Sequence, residues 1–392
     1  MPRRTRWAPG AGGDRHHHPR LRRPRERQPG PRRHLGRPRR PGFAGHGLVT
    51  APVISAWSAV SPLGIGRAPF AAGVAAGSGA LAPPEPGPWP EPSRPAAQVP
   101  GFVTRDVLGR KGTRSMDRVS ALAVAAVGDL LATAGHARPV ATGERAALVL
   151  GTTAGSSRSM MDITRDTLTR ERPFHIDTAR IPNAIMNSSA AQCAIWHELK
   201  GPNVTVAGGR VAGLFALRYA MRLLASGRAA SVLCGGAEEL TPERAWLEHH
   251  AGAPLPLGEG CSVLLLEPAL TAAGPVLAEV LDVTHGVYRD GEQATALARC
   301  LARALDKAGC TAADLWAVSP PPGTPELPLA GATLRELPGA DLWGDAGAAS
   351  AAFQIAAVLA AAEQAPEARG RVAAVLAADR DNVVGCALLG MR

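Results

Sequence analysis

The chain has 392 residues, 46% of them hydrophobic and 19% charged, which is enough apolar material for a large core and excludes a fibrous or wholly disordered protein. A net charge of +10 would suggest a nucleic-acid or anionic-membrane partner, but residues 1–48 hold 14 of the 43 basic residues against two acidic ones. The rest carries 29 basic and 31 acidic residues, so neither partner is expected of the body.

Residues 1–48 combine Arg, Pro, Gly and His with almost no periodic apolar positions, and such a segment cannot bury enough surface to offset its ordering entropy. The stretch reads either as a disordered Arg/Pro-rich tail or as upstream sequence ahead of a genuine start at Val49. A third option is an RNA- or metal-binding role for the arginines and His16, His17 and His18. No segment has the apolar core of a secretion signal or reaches 18 uninterrupted apolar residues, so a cytoplasmic chain is expected.

From Val53 onward short apolar runs alternate with helical patterns, which predicts an α/β fold with mixed, mainly parallel sheets. Strands are predicted at 147–150, 203–206, 230–234, 261–267 and 313–318. Helices are predicted at 115–134, with Ser115 as its cap, and at 212–226, 292–308 and 349–363. The pattern runs twice, in a half spanning 49–268 and a shorter one spanning 276–392, each closing on a two-strand signal. The six cysteines, at 193, 234, 261, 300, 310 and 386, form no C-x-x-C pair and read as buried free thiols; no metal and no cofactor is expected.

Four motifs stand in order along this pattern. Trp57-Ser58-Ala59-Val60-Ser61-Pro62-Leu63-Gly64 forms an opening strand and loop. Gly201-Pro202-Asn203-Val204-Thr205-Val206-Ala207-Gly208-Gly209-Arg210-Val211-Ala212-Gly213-Leu214 reads as strand, small-residue elbow and helix. Leu233-Cys234-Gly235-Gly236-Ala237-Glu238-Glu239 ends a further strand, and Leu257-Gly258-Glu259-Gly260-Cys261 opens a hairpin. Together they resemble the β-ketoacyl synthases, and the resemblance covers essentially everything after residue 48. It implies a duplicated thiolase-type fold with α-β-α-β-α layers.

The same resemblance locates the catalytic positions. A nucleophilic cysteine belongs at the elbow, where a helix N-terminus lowers a thiol pKa and readies it for acylation. Arg210 stands there instead, and a guanidinium is permanently cationic and cannot be acylated. The first of the family's two histidines falls on Pro320, in Pro320-Pro321-Pro322-Gly323-Thr324-Pro325, with the acidic positions after it lost to Pro328 and Gly331. The second falls on Gly344, beside Asp345, and the oxyanion and gating loop reads Asp381-Asn382-Val383-Val384-Gly385-Cys386.

A scaffold retained without its reactive groups resembles the chain-length factor of type II polyketide synthases. That resemblance implies a heterodimer with an active ketosynthase, transient contact with an acyl carrier protein and a share in the wall of the polyketide tunnel. It places an interface at Asn203, Val204, Thr205, Val206, Ala207, Gly208 and Gly209, and tunnel candidates at Met160, Met161, Ile185 and Met186. The alternative is an enzyme on the same fold, a malonyl-carrier-protein decarboxylase or an acyltransferase using Ser188, Ser189 or Cys193.

A buried Arg210 needs a counter-charge, for which Asp345 is the candidate; otherwise Arg210 turns to solvent or across the interface while Asp345 caps the helix after it. Glu259 reads as a structural acceptor within its hairpin. Thr152-Thr153-Ala154-Gly155-Ser156-Ser157 reads as a pocket loop at a strand end, and His249-His250 as a solvated loop.

Overall fold

A computed structural model of the chain describes residues 51–83, 95–137, 142–272, 274–322, 335–337 and 339–392. The expectations for residues 1–48, for 323–325 and for Pro328 and Gly331 lie outside the described residues.

Ten strands carry the architecture: β1 (Pro52–Ser61), β2 (Ala146–Thr152), β3 (Asn203–Ala207), β4 (Ser231–Glu238), β5 (Gly260–Pro268), β6 (Ala278–Val287), β7 (Leu315–Ser319), β8 (Arg335–Glu336), β9 (Val372–Asp379) and β10 (Val383–Met391). Among the described residues the longer helices are α1 (Arg67–Ala76), α2 (Arg118–Ala137), α3 (Ser157–Thr169), α4 (Ser188–Trp196), α5 (Ala212–Ala225), α6 (Pro242–His250), α7 (Gln293–Ala308) and α8 (Ser350–Glu363).

Hydrogen bonding links the strands in the order β8-β7-β9-β10-β6-β1-β5-β4-β2-β3. Split at the β6–β1 junction, the first half reads third, second, fourth, fifth, first from its outer edge, and the second half reads the same. The pair types agree as well. The outer three strands of each half run parallel, β3 with β2 with β4 and β8 with β7 with β9. The inner contacts, β4–β5–β1 and β9–β10–β6, are antiparallel. Duplication is thus written into the strand order, and the sheet is mixed as expected.

Alternation along the strands assigns the layers, because successive side chains point to opposite faces. Leu148, Leu150, Leu233 and Leu265 pack outward with α2, while Leu376, Cys386 and Leu388 pack outward with α7. Their neighbours Val149, Val232, Leu264, Val375 and Leu389 turn inward to one shared core with α5 and α8. Helix–sheet–helix–sheet–helix is the arrangement this produces, the thiolase-type layering expected from the sequence. Helix α8 is Ala-rich and buried along nearly its whole length, as a helix apolar on every side must be.

Two local expectations are corrected. Helix α2 starts at Arg118, and its cap is Asp117, whose Oδ1 accepts from the Ser120 N–H at 2.9 Å; Ser115 lies outside it. A carboxylate satisfies the helix-start donors at least as well as a hydroxyl, which the sequence pattern left undecided. His249 and His250 lie not in a loop but in the last turn of α6, a helix that Pro242 and the Thr241 cap start. No helix among the described residues is long and apolar enough to cross a membrane.

Candidate functional site

Helices α5 and α8 lie side by side in the central layer with their N-termini together, so the glycine-containing turns that lead into them meet at one place. Strand β3 leads through Gly208 and Gly209 into α5, and Gly209 has φ 53°, the left-handed region that glycine adopts without steric penalty. A side chain at Gly209 would also collide with the Asp379 carboxylate at the end of β9. That carboxylate accepts from the Arg210 N–H at 3.0 Å.

The side chain of Arg210 is held on three sides. Its Nε donates to Asp345 Oδ2 at 2.8 Å, and Nη2 donates to the same oxygen. Its Nη1 lies 3.4 Å from Asp379 Oδ1, and Nη2 is 3.9 Å from Glu248 Oε2. Arg210 and Asp345 therefore pair, and the side chain does not turn to solvent. Asp345 also caps: its free Oδ1 accepts from the Gly347 N–H at 3.0 Å, where the turn into α8 begins. The two readings of Asp345 from sequence are realised together because a carboxylate has two oxygens.

Further charge surrounds this pair. Arg244 is buried and donates to the carbonyls of Glu239, Gly258 and Asp345 at 2.9, 2.7 and 3.0 Å, so it locks the backbone that carries Asp345. Arg380 binds Glu248 with both Nη atoms, at 2.8 and 3.3 Å. Burial alone would lower the Arg210 pKa, but Asp345, Glu248 and Asp379 outweigh it and leave the guanidinium above its ordinary value. Burial pushes the Glu238 carboxyl up, against the pull of Arg244.

The cluster borders a pocket of about 410 Å³ whose lining includes Thr153, Arg210, Phe215, Glu248, Asp379 and Arg380. Among its described lining residues there is no thiol and no imidazole. The other two degenerate positions serve the frame. Pro320 is half-buried, and its carbonyl accepts from Gln354 Nε2 at 2.7 Å. Gly344 ends the short helix Ala340–Trp343 with φ 70°, its N–H donating to the Ala340 carbonyl at 2.7 Å. Of the loop expected at 381–386 only Asp381 and Asn382 lie in the tight turn between β9 and β10, while residues 383–386 belong to β10; Asp381 and Val383 stand on the pocket wall.

Glu259 is fully buried and accepts from the Val99 and Leu240 N–H groups at 2.9 and 3.0 Å and from Arg118 Nε at 2.6 Å, the structural role expected of it. The Thr152–Ser157 loop sits at the end of β2, and Thr153 faces the pocket. The interface candidates form a sheet edge: β3 pairs with β2 on one side, and no strand among the described residues occupies the other. Asn203 and Ala207 are exposed, while Val204, Thr205, Val206, Gly208 and Gly209 are half-buried.

The tunnel candidates do not border the Arg210 pocket. Met160, Ile185 and Met186 are exposed, and Met161 borders a separate apolar groove between α3 and α6 with Leu168, Trp246 and Leu247. Ser189 Oγ lies 3.1 Å from Ser120 Oγ, and Cys193 is buried in an apolar setting that pushes its thiol pKa up. Sequence reasoning missed Asp379, Arg380, Glu248 and Arg244. The available signal was the charged run Asp379-Arg380-Asp381 closing an otherwise apolar strand.

With this geometry in place, comparison with known proteins assigns the family. The model of the β-ketoacyl synthase N-terminal domain matches residues 53–255, and the chain belongs to the β-ketoacyl synthase family. The 3-oxoacyl-[acyl-carrier-protein] synthase 2 of Rhizobium meliloti (strain 1021) is 29% identical over 249 residues, 55% of this chain and 58% of that protein. Its namesake from Vibrio cholerae is 26% identical over 147 residues, 38% of this chain and 35% of that protein. The chain thus matches 58% of the length of the first of these relatives and 35% of the second.

Among solved structures, the ishigamide ketosynthase/chain length factor superposes with a TM-score of 0.82 at 46% identity, covering 87% of this chain and 99% of that one. A β-ketoacyl synthase from Burkholderia phymatum shares the fold at a TM-score of 0.73 and 20% identity, covering 88% of this chain and all of that one.

Proposed function

We propose that this chain is a chain-length-factor-type subunit of a type II polyketide synthase, one that forms no carbon–carbon bond itself but pairs in the cytoplasm with an active ketosynthase and helps bound its polyketide tunnel. The observation that carries the reading is Arg210: the nucleophile position holds a guanidinium fixed by Asp345, Asp379 and Glu248. Condensation needs an acyl acceptor and groups that stabilise an enolate. A charge-saturated Arg210, a proline at 320 and a glycine at 344 offer neither.

The similarity to the ishigamide ketosynthase/chain length factor supports the same assignment. Partner contact is supported by the open edge of β3 and by the exposed apolar side chains Leu168, Phe174, Ile181, Ile185 and Met186 between β2 and α4, with Ile195 on α4 beside that edge. Exposed apolar surface of this extent marks an interaction face. Tunnel roles for Met160, Met161, Ile185 and Met186 would require the partner to cover them. The two halves, 49–268 and 276–392, would act as one unit, with a carrier protein delivering substrate to the partner's thiol.

Co-expression tests the proposal. The chain should co-purify one to one with a ketosynthase that retains Cys and both His, and the pair should elongate an acyl chain. Arg210→Ala should leave elongation measurable, since the acylated thiol belongs to the partner. Covalent acyl labelling and extension by the isolated chain would refute the reading.

A further inference from the structure

A second cavity, of about 720 Å³, lies along the opposite end of α5 and shares no lining residue with the Arg210 pocket. Its size falls in the range of small-molecule sites, roughly 300–1,000 Å³. The lining is apolar over Met221, Leu224, Leu281 and Val283, with cations at Arg218, Arg222 and Lys307 and a single carboxylate, Asp282.

The charges are unequally satisfied. Lys307 Nζ donates to Thr284 Oγ1 at 2.8 Å and lies 3.6 Å from Asp282. Arg218 and Arg222, one helical turn apart and exposed, make no ion pair and no side-chain hydrogen bond among the described residues. The neighbouring His285 on β6 packs against Phe215 with ring centroids 4.5 Å apart, and both its ring nitrogens are buried without a hydrogen-bond partner among the described residues. Burial and then the Arg218 charge push its pKa down to about 4, against the pull of Asp282, so at neutral pH it adds no charge of its own.

We propose that this cavity binds an organic phosphate with an apolar arm, the phosphate meeting Arg218, Arg222 and Lys307 and the arm lying on Met221, Leu281 and Val283. Two planar guanidinium forks beside an ammonium suit the several oxygens of a phosphate better than a single carboxylate. With Asp282 offsetting part of Lys307, the rim keeps about two uncompensated positive charges, the complement of a phosphomonoester. The apolar floor separates such a ligand from inorganic phosphate. The site is independent of the proposed pairing with a ketosynthase.

Titration calorimetry on the full-length chain, in the assembly in which it purifies, tests this with octyl phosphate below its micelle concentration. Saturable binding at least tenfold tighter than that of octanol or inorganic phosphate is expected. Arg222→Glu combined with Lys307→Glu should weaken it at least tenfold, Arg222→Lys much less, and Arg158→Glu on α3 not at all. Circular dichroism would confirm that the variants are folded. Flotation with phosphatidic-acid vesicles separates the two sources of the same chemistry: charge-reversal-sensitive flotation assigns a lipid headgroup, and binding of octyl phosphate without flotation assigns a soluble ligand. Absence of saturable octyl phosphate binding, or equal binding by the charge-reversed variant, would overturn the proposal.

Discussion

In the first half of the fold, β4 ends in Glu238, which accepts from the Ala348 N–H at 3.1 Å, at the entrance to the second half's helix α8. In the second half, β9 ends in Asp379, which accepts from the Arg210 N–H at 3.0 Å, at the entrance to the first half's helix α5. Each helix entrance comes after a glycine of matching backbone, Gly209 at φ 53° and Gly347 at φ 50°, and each glycine leaves room for the other half's carboxylate. The two halves brace one another through the same device. They differ in the next residue along the chain: Ala348 keeps only its backbone in play, while Arg210 adds a cation that draws in Asp345, Asp379 and Glu248. The brace depends on backbone and strand-end acids, so the side chain at the elbow can change without loss of the frame.

Breaking the charged version should have the largest effect. Asp345→Ala leaves Arg210 short of its main counter-charge and should lower stability in urea unfolding by about 3–5 kcal/mol. Adding Arg210→Met should recover most of that loss, because the elbow then carries no cation short of its counter-charge. Matched substitutions sharpen the symmetry next: Gly209→Ala and Gly347→Ala should each cost about 1–3 kcal/mol, from positive φ and from displacement of the facing carboxylate. A large effect at one and none at the other would break the equivalence of the two entrances.

The residues after the strand-end acids also differ. Burial raises Glu239 to about 8, with the Arg158 N–H opposing the shift at 3.2 Å. The folded state therefore holds a proton that the unfolded chain releases near the ordinary carboxyl value of about 4.5. Its stabilising contribution is fully present below that value and is lost as pH rises toward 8. Thermal melts should show this decline, and Glu239→Gln should flatten it. Arg380, the counterpart of Glu239, is about two-fifths exposed in its pair with Glu248, so Arg380→Ala should cost no more than about 1 kcal/mol, independent of pH over 6–8.

Helices α5, α7 and α8 and strands β2, β3 and β5 were legible to within a residue or two, because hydrophobic period and turn chemistry are local properties that survive without tertiary context. The motifs around Gly209, Glu238 and Glu259 sufficed to place the chain in its family and to show that the nucleophile position holds arginine. The Arg210–Asp345 contact was one of two open readings, since sequence separation says nothing about which helix ends meet. Glu248 and Arg244 were not legible, each being an ordinary charged residue where it stands in the chain, and Asp379 and Arg380 were marked only by the charged run that closes an apolar strand. Local pattern decided the elements and the duplication, and the family resemblance of the elbow motif decided the loss of the cysteine. Only the tertiary fold decided which carboxylates surround the arginine, Glu248 from its own half and Asp345 and Asp379 from the other, because charge pairing depends on distances of a few ångströms between elements far apart in the chain.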